Sequence, residues 1–271
     1  MIPAPPKPVR YGDLGVRGAS GLVLAGAAAI NVWFGGPWVW GLAAIATLLM
    51  VWEYHRMVTG LRGFSAPAMW LTGGAGVASV GVTAAFGIGA GALTVALGAA
   101  ATAIAARDRA KWLVPGLVYI ALAMCYLTVL RDSEIHGLPI VLWLILVVIA
   151  ADVGAYFVGR RMGGPRLWPK VSPGKTWSGA LGGLGAAVLT GVAFALVTGR
   201  GLWLISAMSL GVAIASQLGD LLESAVKRRF HVKDASSLIP GHGGVLDRLD
   251  GLMGGLWFFA LQAVLLDGFV G

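Results

Sequence analysis

Residues 233–250 read KDASSLIPGHGGVLDRLD and gather Lys233, Asp234, His242, Asp247, Arg248 and Asp250 into one short window. Carboxylates with lysine and glycine nearby suit a magnesium–phosphate site. Magnesium takes one or two carboxylates and fills its other positions with phosphate oxygens and water. Asp247 and Asp250, three residues apart, fall on one face of a helix. The GHGG run lets backbone approach a ligand closely, because glycine has no Cβ and tolerates unusual φ. His242 on its own is more often a hydrogen-bonded structural residue. Zinc is disfavoured, since no second His or Cys stands at ligand spacing.

Two further acids stand in apolar surroundings: Asp152 in VVIAADVGAYFVGR and Asp220 in AIASQLGDLLESAVKRR. A carboxylate at the centre of a bilayer costs roughly 2.5–3.5 kcal/mol on insertion scales. Helical spacing aligns Asp152 with Tyr156 and Gly159, and Asp220 with Ser224 and Lys227. These groups read either as interhelical ion pairs or as functional groups, and polar residues inside membrane spans are functional by default. Residues 170–183, KVSPGKTWSGALGG, predict a turn at Pro173 and Gly174, with Lys175 and Thr176 just before a helix that starts near Ser178. Free N–H groups at a helix N-terminus, beside a lysine and hydroxyls, form a phosphate site. A basic juxtamembrane anchor is an equal reading, and Walker spacing is absent. Gly179, Gly182, Gly183 and Gly185 suit close helix packing.

The elements that must position these residues follow from composition. The 271 residues are 58% hydrophobic and only 12% charged, with mean hydropathy +0.82. Soluble domains carry about 25% charged residues, so an all-α integral membrane protein is expected. About nine spans of near-bilayer length fall at residues 17–34, 37–54, 67–86, 88–106, 112–130, 138–159, 178–198, 202–222 and 250–269. Prolines 37, 67, 115, 139 and 173 stand at or near span ends. Of the 20 lysines and arginines, this layout puts all but Arg131 and Arg200 on one face. Such a bias orients membrane proteins with basic loops inside. The expectation is a polytopic bundle with a cytosolic N-terminus and an external C-terminus. The net charge of +8 then reflects topology rather than nucleic acid. The polar, proline-rich start reads as a cytosolic tail, not a cleaved signal. Cys125, the only cysteine, excludes an intramolecular disulfide and reads as a small packed hydrophobe. Residues 1–135 read as about five N-terminal spans. Residues 136–271 read as a catalytic region of about four, with cytosolic loops at 160–177 and 223–249.

Residues 224–250, SAVKRRFHVKDASSLIPGHGGVLDRLD, resemble the signature of the phosphatidate cytidylyltransferase (CDP-diacylglycerol synthase) family. The pattern is S-x-hydrophobic-K-R, four residues, K-D, then H-G-G-hydrophobic-x-D-R-hydrophobic-D. It is met at Ser224, Lys227, Arg228, Lys233, Asp234, His242, Gly243, Gly244, Asp247, Arg248 and Asp250. ADVGAYFVGR and KVSPGKTWSGALGG are also similar to family segments, so the resemblance covers roughly residues 145–270. It implies that CTP and phosphatidate give CDP-diacylglycerol and pyrophosphate with Mg2+ or another divalent cation such as Mn2+. The implied partners are CTP, phosphatidate and membrane lipid, with no nucleic acid and with a homodimer as the candidate assembly. On this reading Asp220 and Asp247 bind metal, with Asp234 and Asp250 as further candidates. Lys175, Lys227, Arg228, Lys233 and Arg248 contact phosphates, while Ser172, Thr176 and Ser224 supply hydroxyls. His242 holds pyrophosphate or shapes the loop, and Lys233, Asp234, His242 and Asp247 form the catalytic set. Asp152 and Tyr156 lie in the cavity.

A transporter would place its acids near the midplane and show internal repeats, and neither is evident. An enzyme that consumes CDP-diacylglycerol would resemble D-G-x-x-A-R followed by paired aspartates, and that pattern is missing. A pure scaffold leaves the clustered charges unexplained.

Overall fold

The apolar runs fold into helices because no water is available in lipid to satisfy a backbone left open. A computed structural model describes residues 11–60, 67–134, 136–239 and 241–265. Among them are α1 (Tyr11–Phe34), α2 (Pro37–Thr59), α3 (Pro67–Phe86), α4 (Ile88–Ala106), α5 (Ala110–Asp132), α6 (Gly137–Met162), α7 (Trp177–Thr198), α8 (Leu202–Arg229) and α9 (Leu246–Leu265). Among the described residues, five helical segments are long and apolar enough to cross a membrane: Pro67–Phe86, Ile88–Asp132, Gly137–Met162, Trp177–Thr198 and Leu202–Arg229. The second of these holds both α4 and α5, joined through the 3-10 turn Arg107–Arg109. The expected N-terminal tail at residues 1–10 and the last residues, 266–271, lie outside the described residues.

α5 is the central post. Leu113, Leu117, Ile120, Met124 and Leu130 along it are almost fully buried. It packs against α2, α3, α4, α6 and α9. The outer surface remains apolar, with Ile104, Leu189, Leu196 and Trp203 exposed, as a lipid-facing surface requires. At one end of the bundle, Arg131 at the foot of α5 donates to the carbonyls of Val32 and Trp33, at 2.6 and 2.8 Å. At the opposite end Arg109 donates to Val58 O at 2.8 Å, where α2 stops and α5 begins.

Three expectations are corrected. The region 160–177 is not a plain loop: β1 (Arg166–Trp168) and β2 (Ser172–Thr176) form an antiparallel hairpin. Its reversal falls at residues 169–171, and Pro173 and Gly174 lie inside β2. Five residues of β2 face three of β1, so the pairing is irregular between Arg166 and Trp168, and that bulge absorbs the proline. The loop at 223–249 is also shorter, because α8 runs on to Arg229. Leu, Glu, Ala, Lys and Arg in LESAVKRR favour helix, and the terminal basic residues complement its dipole. Pro115 sits inside α5, though close enough to its start that few backbone bonds are lost.

The α6–α7 contact depends on small residues. A Cβ on Gly179 would lie 2.8 Å from Ala155 O, and one on Gly183 would lie 2.6 Å from Ala151 O. Gly182 likewise faces Val158, whereas a Cβ on Gly185 would meet nothing. The first three therefore serve helix packing, and Gly185 does not.

Candidate active site

A cavity of about 680 Å³ opens where α6, α7, α8 and the hairpin meet, and Asp152, Tyr156, Gly159, Lys175, Thr176 and Asp220 are among its lining residues. The predicted face of Asp152, Tyr156 and Gly159 is therefore the wall of a real space. The hairpin carries Lys175 over the cavity, and its ammonium pairs with Asp220 from α8. Ser224, one turn on, donates to Asp220 Oδ1 at 3.3 Å. Thr176 caps α7 by accepting from the Gly179 amide at 3.1 Å, so its hydroxyl organises the helix start. Ser172 is half-buried in β2 and is not among the residues lining the cavity. Arg228 ties the hairpin to α8, donating from Nε to Val171 O at 3.2 Å.

Beside this cavity lies a second, drier cluster. Lys227 shares a helix face with Asp220, and its ion pairs are made to two other acids. Its Nζ bonds Asp247 Oδ1 at 2.7 Å and lies 3.3 Å from Glu223 Oε1. The tertiary approach of α9 to α8 offers a carboxylate nearer than Glu223 on its own helix. Asp247 also accepts from the amides of Ala235 at 2.9 Å and Gly244 at 2.8 Å, both on Oδ2. It thereby binds both ends of the signature loop to the start of α9. Asp250 accepts from its neighbouring Gly251 amide at 2.7 Å and stands alongside Glu223.

Asp250 is close enough to feel the charge of Asp152, Asp220 and Glu223 across this region. Lys175, Lys227 and Arg248 oppose them. Among the described residues no group of three or more His, Cys, Asp or Glu side chains forms a ready metal shell. The donor set still suits a hard cation. Asp220 and Asp247 are each neutralised now by one lysine ammonium, and magnesium needs only one or two carboxylates.

The loop itself is folded tightly. Ile239 and Gly243 bridge, with Ile239 N donating to Gly243 O at 2.8 Å. Gly243 has φ +87, a conformation L side chains rarely adopt, and a Cβ there would sit 2.9 Å from Asp247 Oδ2. A Cβ on Gly244 would lie 2.5 Å from Glu53 Oε1. In this arrangement the close approach permitted by GHGG is made by the protein's own carboxylates. Lys233, Asp234 and Arg248 are exposed, and His242 is half-buried; none of the four lines the 680 Å³ cavity.

Two acids escaped the sequence reasoning. Glu53 and Glu223 are buried at 0% and 6% exposure. The signal was present for Glu53, a lone acid in the apolar run MVWEYHRM. The reasoning that singled out Asp152 and Asp220 applies to it equally.

The sequence that builds this site has counterparts among known proteins. Residues 15–266 match the cytidylyltransferase family. The chain belongs to that family. Curated relatives called phosphatidate cytidylyltransferase include one from Haemophilus influenzae, 47% identical over 131 residues, 46% of each chain. One from Brucella suis is 43% identical over 143 residues, 52% of this chain and 53% of the relative. One from Bacillus subtilis is 36% identical over 148 residues, 54% of this chain and 55% of the relative. The chain thus spans about half the length of the curated relatives it matches.

Proposed function

We propose that the chain is a membrane nucleotidyltransferase that converts CTP and phosphatidate to CDP-diacylglycerol and pyrophosphate at the cytosolic face. The observation that carries this reading is the pair of lysine–carboxylate contacts, Lys175–Asp220 and Lys227–Asp247, beside a cavity of 680 Å³. That volume falls within the range of small-molecule sites, about 300–1,000 Å³. Two anionic substrates must be brought together there, so paired cationic and acidic groups are what the chemistry demands. Family membership supports the same reaction class.

A phosphate oxygen of phosphatidate attacks the α-phosphorus of CTP. The new P–O bond forms as the bond to the β-phosphate oxygen breaks, and pyrophosphate leaves with that electron pair. No protein nucleophile is needed. Catalysis is positioning and charge stabilisation. On this reading Lys175 and Lys227 leave their carboxylates for substrate phosphates, and Arg228, Lys233 and Arg248 make further phosphate contacts. Asp220, Asp247 and Asp250 would hold a divalent cation, Mg2+ or Mn2+, which supplies neutralisation of the triphosphate charge.

Phosphatidate keeps its phosphate at headgroup depth while CTP arrives from water, so a site at helix ends meets both. We place those ends in the cytosol, with nine spans, an external C-terminus and residence in the cell's inner (cytoplasmic) membrane, because of the one-sided distribution of Lys and Arg. The deciding experiment incubates the purified protein with labelled CTP and phosphatidate. Lipid-soluble cytidine is the expected product. Its absence, with folded protein and magnesium present, would remove the proposal.

A further inference from the structure

Glu53 belongs to α2, far in sequence from the signature, and its side chain is fully buried. One oxygen accepts from Ser236 Oγ at 2.6 Å and from the Val245 amide at 2.9 Å. The other accepts from the Leu246 amide at 2.7 Å. Ser236 lies in the signature loop, and Val245 and Leu246 stand where α9 begins. A helix start leaves its first N–H groups without partners, and a negative charge there is favourable. A buried carboxylate is costly unless it is paired or hydrogen-bonded, and three converging donors satisfy this one. A cap alone needs only a nearby Ser, Thr, Asp or Asn. Here the acceptor comes from 192 residues away and also grips the loop hydroxyl. Asp247 holds the same loop from the other side, through Ala235 and Gly244.

We infer that Glu53 is a positioning residue for the reaction: through Ser236 and the start of α9 it sets where Lys233, His242 and Asp247 stand relative to the cavity. The N-terminal helices are then part of the active site rather than a separate anchor. The inference rests on the proposed cytidylyl transfer. It assigns to the loop the task of receiving the phosphates of CTP rather than the lipid.

The test uses full-length protein carrying Glu53→Gln, Glu53→Asp or Ser236→Ala. Gln keeps the size but turns one acceptor into a donor, so at least one of the three contacts opposes donor to donor. Glu53→Gln is expected to purify as folded protein, with kcat/KM for CTP reduced at least tenfold and the KM for CTP raised. The KM for phosphatidate should stay within twofold, and amide exchange at residues 236–246 should quicken. Glu53→Asp keeps the charge and should recover part of the loss. Wild-type kinetics with unchanged loop exchange would overturn the inference. So would equal losses toward both substrates with faster exchange throughout the bundle. If Glu53→Gln does not fold, Ser236→Ala decides. It removes only the hydroxyl and should raise the KM for CTP at least twofold with faster loop exchange; no change in either overturns the idea. A wild type that makes no lipid-soluble cytidine defeats the proposed reaction instead, and loop exchange in the variants still decides whether Glu53 holds the loop.

Discussion

Asp247→Asn is the most informative perturbation of the site. The Lys227 and Asp247 side chains are 11% and 5% exposed, and they meet at 2.7 Å. Removing one partner of a buried pair costs about 3–5 kcal/mol, because the other charge is left uncompensated. Glu223 remains 3.3 Å from Lys227 and retains part of that compensation, which argues for the lower end. An Asn amide also has one acceptor oxygen where Asp has two. Whichever way it turns, a donor faces either Lys227 or the amides of Ala235 and Gly244. A loss of about 3 kcal/mol is expected, and at about 2–4 °C per kcal/mol for domains of 150–250 residues the unfolding midpoint falls by about 6–12 °C. Thermal unfolding in detergent measures it, and turnover should fall at least a hundredfold. Adding Lys227→Met removes the stranded charge and should return part of the stability, a coupling that a double-mutant cycle reads directly. An unfolding midpoint within about 2 °C of wild type would refute the reasoning, leaving Asp247 a role in chemistry but none in holding the loop.

Lys233 is exposed, so Lys233→Ala should change stability by less than about 0.5 kcal/mol while raising the CTP concentration needed for half-maximal rate. Unchanged kinetics would reduce this lysine to a solvated charge. Chelation of divalent cations should abolish turnover and added magnesium should restore it; activity that survives chelation would remove the metal from the proposal. A reporter active only in the cytosol, fused after Gly271, should stay silent, and a strong signal would mean that the number of spans is even.

How much was legible in advance varies with the element. Residues 67–86 and 88–106 were read with the same bounds that α3 and α4 have, because an apolar run of bilayer length between Gly or Pro breaks allows one outcome. The hairpin at 166–176 was not legible: Gly163, Gly164, Pro165 and Pro173 announce only that a helix must stop. Its strands exist because the chain between α6 and α7 folds back over the cavity, where Arg166 donates to Gly174 O at 3.1 Å and Arg228 holds Val171. Lys175 and Asp220 were both named, yet their pairing depends on this local fold.

The sequence by itself determined the membrane class, the positions of most helices and the identity of the charged residues worth attention. Hydropathy and residue chemistry are local properties, readable one window at a time. Tertiary structure alone decided who faces whom. Lys227 paired with Asp247 of another helix as well as with Glu223 of its own, and the glycines of GHGG closed on Glu53 and Asp247. Glu53 reached the loop across the bundle. Those choices depend on which helix ends meet in space, and a buried charge must find its partner there, however far away that partner lies along the chain.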